Sequence, residues 1–92
     1  LRGFLSEQKT LDQLDGMVDG LLMVVHKEEY TSEVSTVWHD YQSLIITQLH
    51  QHLQDHRCLE LFVLKGEGGK IKGMVQGLER EKKVDQVKWF IL

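Results

Sequence analysis

The stretch LIITQLHQHLQDHRCLELFVLK, residues 44–65, decides the fold. Its two halves, 44–53 and 58–65, are rich in apolar and β-branched residues, and the polar run QDHR at 54–57 separates them. Two such segments joined by a short polar run are typical of two strands and a turn. We therefore predict a β-hairpin at this point of the chain.

The hairpin would bring metal-ligating residue types together. His50 and His52 are two residues apart and share one face of a strand. If His52 lies opposite Cys58, then His50 lies opposite Glu60, and cross-strand partners point to the same side. Neutral imidazole and thiolate suit Zn, Cu or Ni, and Glu60 is either an acceptor for a bound imidazole N–H or a solvent-facing charge. An H-x-H pair alone is a weak signal among five histidines, but the added cysteine favours a metal site.

Segments on either side of the hairpin complete a pattern of alternating strands and helices. The apolar run LLMVV at 21–25 predicts a buried strand, and residues 30–41 carry apolar side chains at helical spacing. GEGG at 66–69 is interpreted as a strand-to-helix loop. Apolar residues at 71, 74, 75 and 78 predict a second helix, and alternation along 87–91 predicts a last strand. The order β-α-β-β-α-β predicts an α+β, ferredoxin-like domain.

Composition limits the class of protein. A chain of 92 residues with 41% hydrophobic and 27% charged residues is expected to form one globular domain with a modest core, which oligomerisation would supplement. A net charge of -3 argues against nucleic-acid binding by this domain itself. No apolar run reaches the roughly 18 residues that span a membrane, and the single cysteine fits a reducing cytoplasm.

His39 has two interpretations. It is expected at the C-terminal end of the first helix, roughly 20–25 Å from His50 along the following strand, and so outside the cluster of its own subunit. It is either an ordinary helix-end histidine, favoured there by the helix dipole, or a ligand that completes the site of a neighbouring chain.

Residues 37–66, VWHDYQSLIITQLHQHLQDHRCLELFVLKG, resemble the metal-binding core of the NikR-type nickel-responsive regulators. The shared features are a histidine before aspartate, H-x-H eleven residues further on, and Cys-Leu-Glu leading into an apolar strand and Lys-Gly. The resemblance implies an ACT-like β-α-β-β-α-β domain joined to an N-terminal ribbon-helix-helix DNA-binding domain. Residues 1–15 are then interpreted as the end of an upstream helix and a linker, and 16–92 as the ACT-like metal-binding and oligomerisation domain, with the DNA-binding domain absent from this chain.

The resemblance also implies a ligand set and a role. His50, His52 and Cys58 correspond to the ligands of one subunit and His39 to the ligand from another, which predicts one Ni(II) per subunit. Glu60 stays a candidate supporting group on the hairpin register alone. Three nitrogens and a thiolate in a plane suit Ni(II) or Cu(II), while Zn(II), which prefers a tetrahedron, is a further candidate in vitro. The implied assembly is a tetramer in which nickel orders the helix that ends at His39. It contacts operator DNA only through the N-terminal domain, and its role is regulation, not catalysis.

Two other classes of function are also considered. One is an ACT-like regulatory module that binds a small molecule, such as an amino acid, between subunits. The other is a zinc enzyme in which His50, His52 and Cys58 hold the metal and Glu60 is the general base. Two departures from the family pattern, Trp38 before the helix-end histidine and Asp55-His56 in the turn, remove no ligand.

Overall fold

A computed structural model describes residues 14–92, so most of the predicted helix end and linker at 1–15 lies outside the described residues. The secondary-structure elements follow the predicted order. They are β1 (Met17–Lys27), α1 (Thr31–His39), β2 (Ile45–His52), β3 (Arg57–Glu67), α2 (Gly68–Arg80) and β4 (Val84–Ile91), and short 3-10 turns at Glu28–Tyr30 and Gln42–Leu44 flank α1.

The four strands form one antiparallel sheet in the order β2-β3-β1-β4. Each helix connects two strands that are not neighbours in the sheet, which is the ferredoxin-like arrangement that the sequence predicts. The register of β2 against β3 places His50 opposite Glu60 and His52 opposite Cys58. The predicted hairpin register is therefore confirmed.

The core lies between the sheet and the two helices. Even-numbered residues of β1 and β3 are buried in turn along each strand, because alternate side chains of a strand point to the same face. The buried apolar cluster consists of Leu22, Val24, Val34, Trp38, Leu44, Phe62, Leu64, Ile71, Met74, Val75, Leu78 and Trp89. Both helices thus pack on one face of the sheet and leave the other face uncovered within residues 14–92.

The uncovered face of the sheet is apolar at its centre. Odd-numbered residues of the two middle strands line it, among them Leu21, Met23, Leu59 and Leu61, and each is half-buried. On the edge strand β2, Leu49 pairs with Leu61 and keeps 50% of its side chain exposed. This face therefore carries a row of aliphatic side chains, whereas the solvent-facing side of a sheet in a two-layer fold is ordinarily polar.

The structure corrects the interpretation of GEGG as a loop. Gly66 and Glu67 are the last residues of β3, and α2 begins directly at Gly68. The backbone N–H of Gly68 donates to the carbonyl of Gly16 at 2.9 Å, and an added Cβ at Gly68 would lie 2.7 Å from the Cβ of Leu14. Strand and helix join without a loop because the missing side chain lets the start of the described chain pack against this junction.

No helix within residues 14–92 is long and apolar enough to cross a membrane.

Candidate metal site

A tight hairpin turn brings the candidate ligands together. Asp55 and His56 adopt left-handed backbone conformations, with φ of 62° and 57°, which aspartate and histidine tolerate better than most residues. The N–H of Leu53 donates to the carbonyl of Arg57 at 2.8 Å and closes the turn. The strands β2 and β3 are therefore paired directly next to the turn, and their candidate ligands lie close together.

Three side chains converge at the end of this hairpin. Nitrogen atoms of His50 and His52 and the Sγ of Cys58 all lie within 4.8 Å of one another. Ligand atoms that bind one ion at distances of about 2.0–2.3 Å lie at most about 4.6 Å apart, so small side-chain rotations would bring all three onto a single ion. Two borderline nitrogen donors and one soft sulfur donor suit Ni(II), Cu(II) or Zn(II), and the residues present therefore fit a metal.

A buried carboxylate holds His50 in place. Nδ1 of His50 lies 2.6 Å from Oε2 of Glu60, which is only 1% exposed. An imidazole that donates its Nδ1–H to a carboxylate keeps Nε2 unprotonated and available as a ligand. Of the two interpretations of Glu60, the solvent-facing charge is wrong, because this side chain is buried among hydrogen-bond donors.

Two further side chains hold the same carboxylate. Nε2 of His26 lies 3.0 Å from Oε2 of Glu60, and Nε2 of Gln48 donates to Oε1 at 3.2 Å. Three donors from two strands thus surround Glu60. This arrangement suits a group that orients its neighbours better than a general base, which must take up a proton from a substrate.

Sequence reasoning missed His26. This histidine ends the apolar run of β1, is fully buried, and pairs in the sheet with Cys58. Its position in the sequence gives one signal, a histidine directly after an apolar run that predicts a buried strand. Its relation to the site depends on the register of β1 against β3, which short-range patterns do not fix.

His52 and Cys58 differ in their surroundings. Nδ1 of His52 lies 3.8 Å from the Sγ of Cys58 and 3.0 Å from Oε1 of Glu28, and His52 is 67% exposed. Burial raises the pKa of the Cys58 thiol, the negative charges of Glu28 and Glu60 raise it further, and a side-chain hydrogen bond with Thr31 lowers it. Cys58 is therefore a neutral thiol at neutral pH when no metal is present, and a metal ion must displace its proton.

His39 lies apart from these three residues. It is the last residue of α1 and is exposed, and the cluster of potential ligands found within residues 14–92 does not include it. The preceding residue, Trp38, is buried, and its ring packs against Phe62 at a centroid distance of 5.1 Å. The core thus fixes the helix just before His39, while the histidine itself faces outward.

Fold and site together define the class of protein, a ferredoxin-like domain of the ACT type whose edge hairpin carries two histidines and a cysteine that could hold a metal ion. An uncharacterized protein from Thermotoga maritima has the same fold, with a TM-score of 0.75, 18% identity and coverage of 84% of this chain and 99% of that one. The ACT domain of GTP pyrophosphokinase from Chlorobium tepidum superposes with a TM-score of 0.66 at 13% identity, covering 80% of this chain and 99% of that one.

Sequence comparisons define the family. Residues 20–92 match the model of the NikR C-terminal nickel-binding domain, and the chain belongs to that family. A protein of Methanococcus maripaludis described as a nickel-responsive regulator is 30% identical over 95 aligned positions, which span 100% of this chain and 67% of that protein. A protein of Nitratidesulfovibrio vulgaris with the same description is 36% identical over 74 positions, or 77% of this chain and 53% of that protein.

Proposed function

We propose that residues 16–92 form the nickel-sensing domain of a transcription regulator and bind one Ni(II) per subunit through His50, His52 and Cys58. The observation that carries this proposal is the convergence of the three ligand atoms within 4.8 Å. The support that Glu60 gives to His50 adds to it, because a metal-bound imidazole is ordinarily oriented by a hydrogen bond to its other nitrogen. Membership in the nickel-binding family favours Ni(II) as the ion.

His39 from a second subunit would supply the fourth ligand. Ni(II) bound by nitrogen and sulfur favours a planar arrangement of four donors, and the hairpin of one chain offers three. The exposed position of His39 at the end of α1 makes it available to another copy of the chain.

The uncovered sheet face supports self-association. Its aliphatic side chains, with Leu49 half exposed at the edge, form the kind of surface that a second copy would bury. A domain of this size gains stability from burying such a surface between subunits. We therefore propose a homo-oligomer, with a tetramer as the specific form, and operator contacts made by a DNA-binding domain outside this chain.

The helix that ends at His39 is suited to ordering by metal. Among residues 14–92 no side chain caps the N-terminus of α1, and only Val34 and Trp38 of its nine residues are buried. The hydroxyls of Ser35 and Thr36 donate to backbone carbonyls three residues earlier, a contact that competes with regular helix formation. Coordination of His39 would contribute the stability that this helix lacks.

The visible spectrum of the nickel-loaded protein tests the proposal. Thiolate bound to Ni(II) in a planar field should give a charge-transfer band, which Zn(II) would not give. Cys58→Ser should abolish this band, whereas His56→Asn, which removes a histidine from the turn outside the cluster and tolerates its left-handed backbone, should keep it. An unchanged band in Cys58→Ser would refute the ligand assignment. Competition with Cu(II) and Zn(II) would then rank the ions, with Cu(II) expected to bind more tightly than Ni(II).

A further inference from the structure

His26 is a fully buried histidine that the proposed ligand set does not use. Its ring lies beside that of Trp38 at a centroid distance of 6.4 Å and beside that of His50 at 6.5 Å. It therefore lies between Trp38, near the C-terminal end of α1, and His50 of the proposed metal site. A buried polar side chain is costly unless it is hydrogen-bonded, so its partners indicate why it is there.

The hydrogen bonds of His26 fix its orientation at both nitrogens. Nδ1 lies 2.8 Å from the carbonyl oxygen of Lys27, and because a carbonyl oxygen only accepts, Nδ1 must donate. Nε2 lies 3.0 Å from Oε2 of Glu60, and it donates to that carboxylate when the ring carries a proton on each nitrogen. Rotation of the ring would break both hydrogen bonds in a place that water does not reach. His26 is thus a rigid support on β1.

The same oxygen of Glu60 serves both histidines. Oε2 lies 3.0 Å from Nε2 of His26 and 2.6 Å from Nδ1 of His50. The other donor to Glu60 is Gln48, which like His50 belongs to the exposed edge strand β2. Only His26 supports this carboxylate from the interior, among the hydrogen bonds described for residues 14–92.

We propose that His26 is a positioning residue of the metal site, which holds the Glu60 carboxylate so that it takes the Nδ1–H of His50 and leaves Nε2 for the metal. The inference rests on the proposed function and extends it to a residue on a third strand. Without this support, Glu60 turns toward the open edge of the sheet with Gln48. His50 then exchanges its proton between the two ring nitrogens, and metal binding must first select the correct tautomer.

Two amide substitutions separate the contacts of His26. In His26→Gln the side-chain nitrogen takes the place of Nε2 and still reaches Glu60, whereas the shorter side chain of His26→Asn reaches only toward Lys27. We expect His26→Asn to weaken Ni(II) binding by about 10-fold, the lower end of the effect of losing a group bonded directly to a metal ligand, because His26 acts through Glu60. His26→Gln should bind Ni(II) within a few fold of the natural protein. Leu22→Val, a buried change on β1 opposite Phe62 and away from the site, is the control for lost stability.

Nitrogen-15 NMR of the imidazole rings in the metal-free protein gives a readout that a purely structural role would not move. His50 should carry its proton on Nδ1 in the natural protein, in His26→Gln and in Leu22→Val, and on a mixture of both nitrogens in His26→Asn. An unchanged His50 tautomer in His26→Asn, or equal losses of Ni(II) affinity in His26→Asn and Leu22→Val, would overturn the positioning role. Failure of the natural protein to bind Ni(II) would instead refute the proposed function, and the tautomer measurement would still decide the role of His26.

Discussion

Replacing Glu60 by glutamine should destabilise the metal-free domain by about 2 kcal/mol. The carboxylate accepts hydrogen bonds from His26, His50 and Gln48. Bonds to a charged acceptor contribute about 1.5–3 kcal/mol and neutral ones about 0.5–1.5 kcal/mol. Glutamine keeps one oxygen for the two imidazoles, so each of those bonds weakens by about 1 kcal/mol. The exposed Gln48 can reverse its amide and keep its contact, so it adds little to the loss.

Urea denaturation of the metal-free protein at pH 7 would measure this loss. For a domain of this size, the change corresponds to a lowering of the melting temperature by about 8–16 °C. Glu67→Gln, an exposed substitution at the end of the same strand, is the matched control and should stay within about 0.5 kcal/mol of the natural protein. If the two variants had the same denaturation midpoint, Glu60 would not act as an ionised acceptor, and the account of its three hydrogen bonds would be wrong.

Three further predictions concern assembly and the metal. In His39→Ala, the backbone amides of α1 should lose most of the protection from hydrogen exchange that Ni(II) gives to the natural protein; retention of full protection would contradict an intersubunit role for His39. Because the pKa of Cys58 is raised, Ni(II) must displace a proton from it, and affinity should rise about tenfold per pH unit from pH 7 towards 9. Titration calorimetry in two buffers of different ionisation enthalpy should detect that proton, and Cys58→Ser should release about one proton fewer than the natural protein. Leu49→Asp should shift sedimentation towards smaller species if the uncovered sheet face joins subunits, and an unchanged profile would exclude this edge of the face from the interface.

The sequence predicted the parts of the site that depend on local geometry. Strand period and the spacing across one turn place His50 and His52 opposite Glu60 and Cys58, so a hairpin of almost any twist would bring them together. His26 escaped prediction because β1 reaches the hairpin only through a long connection. Its register against β3 follows from the packing of the whole sheet and not from a short-range pattern.

The junction at GEGG shows a second limit of local patterns. Glycine-rich runs are typical of loops, but here the glycines permit close approach of another part of the chain at the join of β3 and α2. Glycine is favoured both in flexible loops and at sites of close packing, and composition alone does not distinguish these two situations. The sequence correctly predicted that the first helix ends near His39. The apolar spacing that marks this end lies within one helix and does not depend on distant contacts.

The burial of Trp38 limits the positions that the side chain of His39 can reach. Its indole is held in the core against Phe62, and the next Cα along the chain is only about 3.8 Å away. The imidazole of His39 can therefore occupy only a small volume outside the domain. For His39 to reach a metal on another subunit, that metal must lie within the reach of one imidazole side chain from the end of α1. A completed coordination sphere would then report how the chains are arranged as well as whether nickel is present.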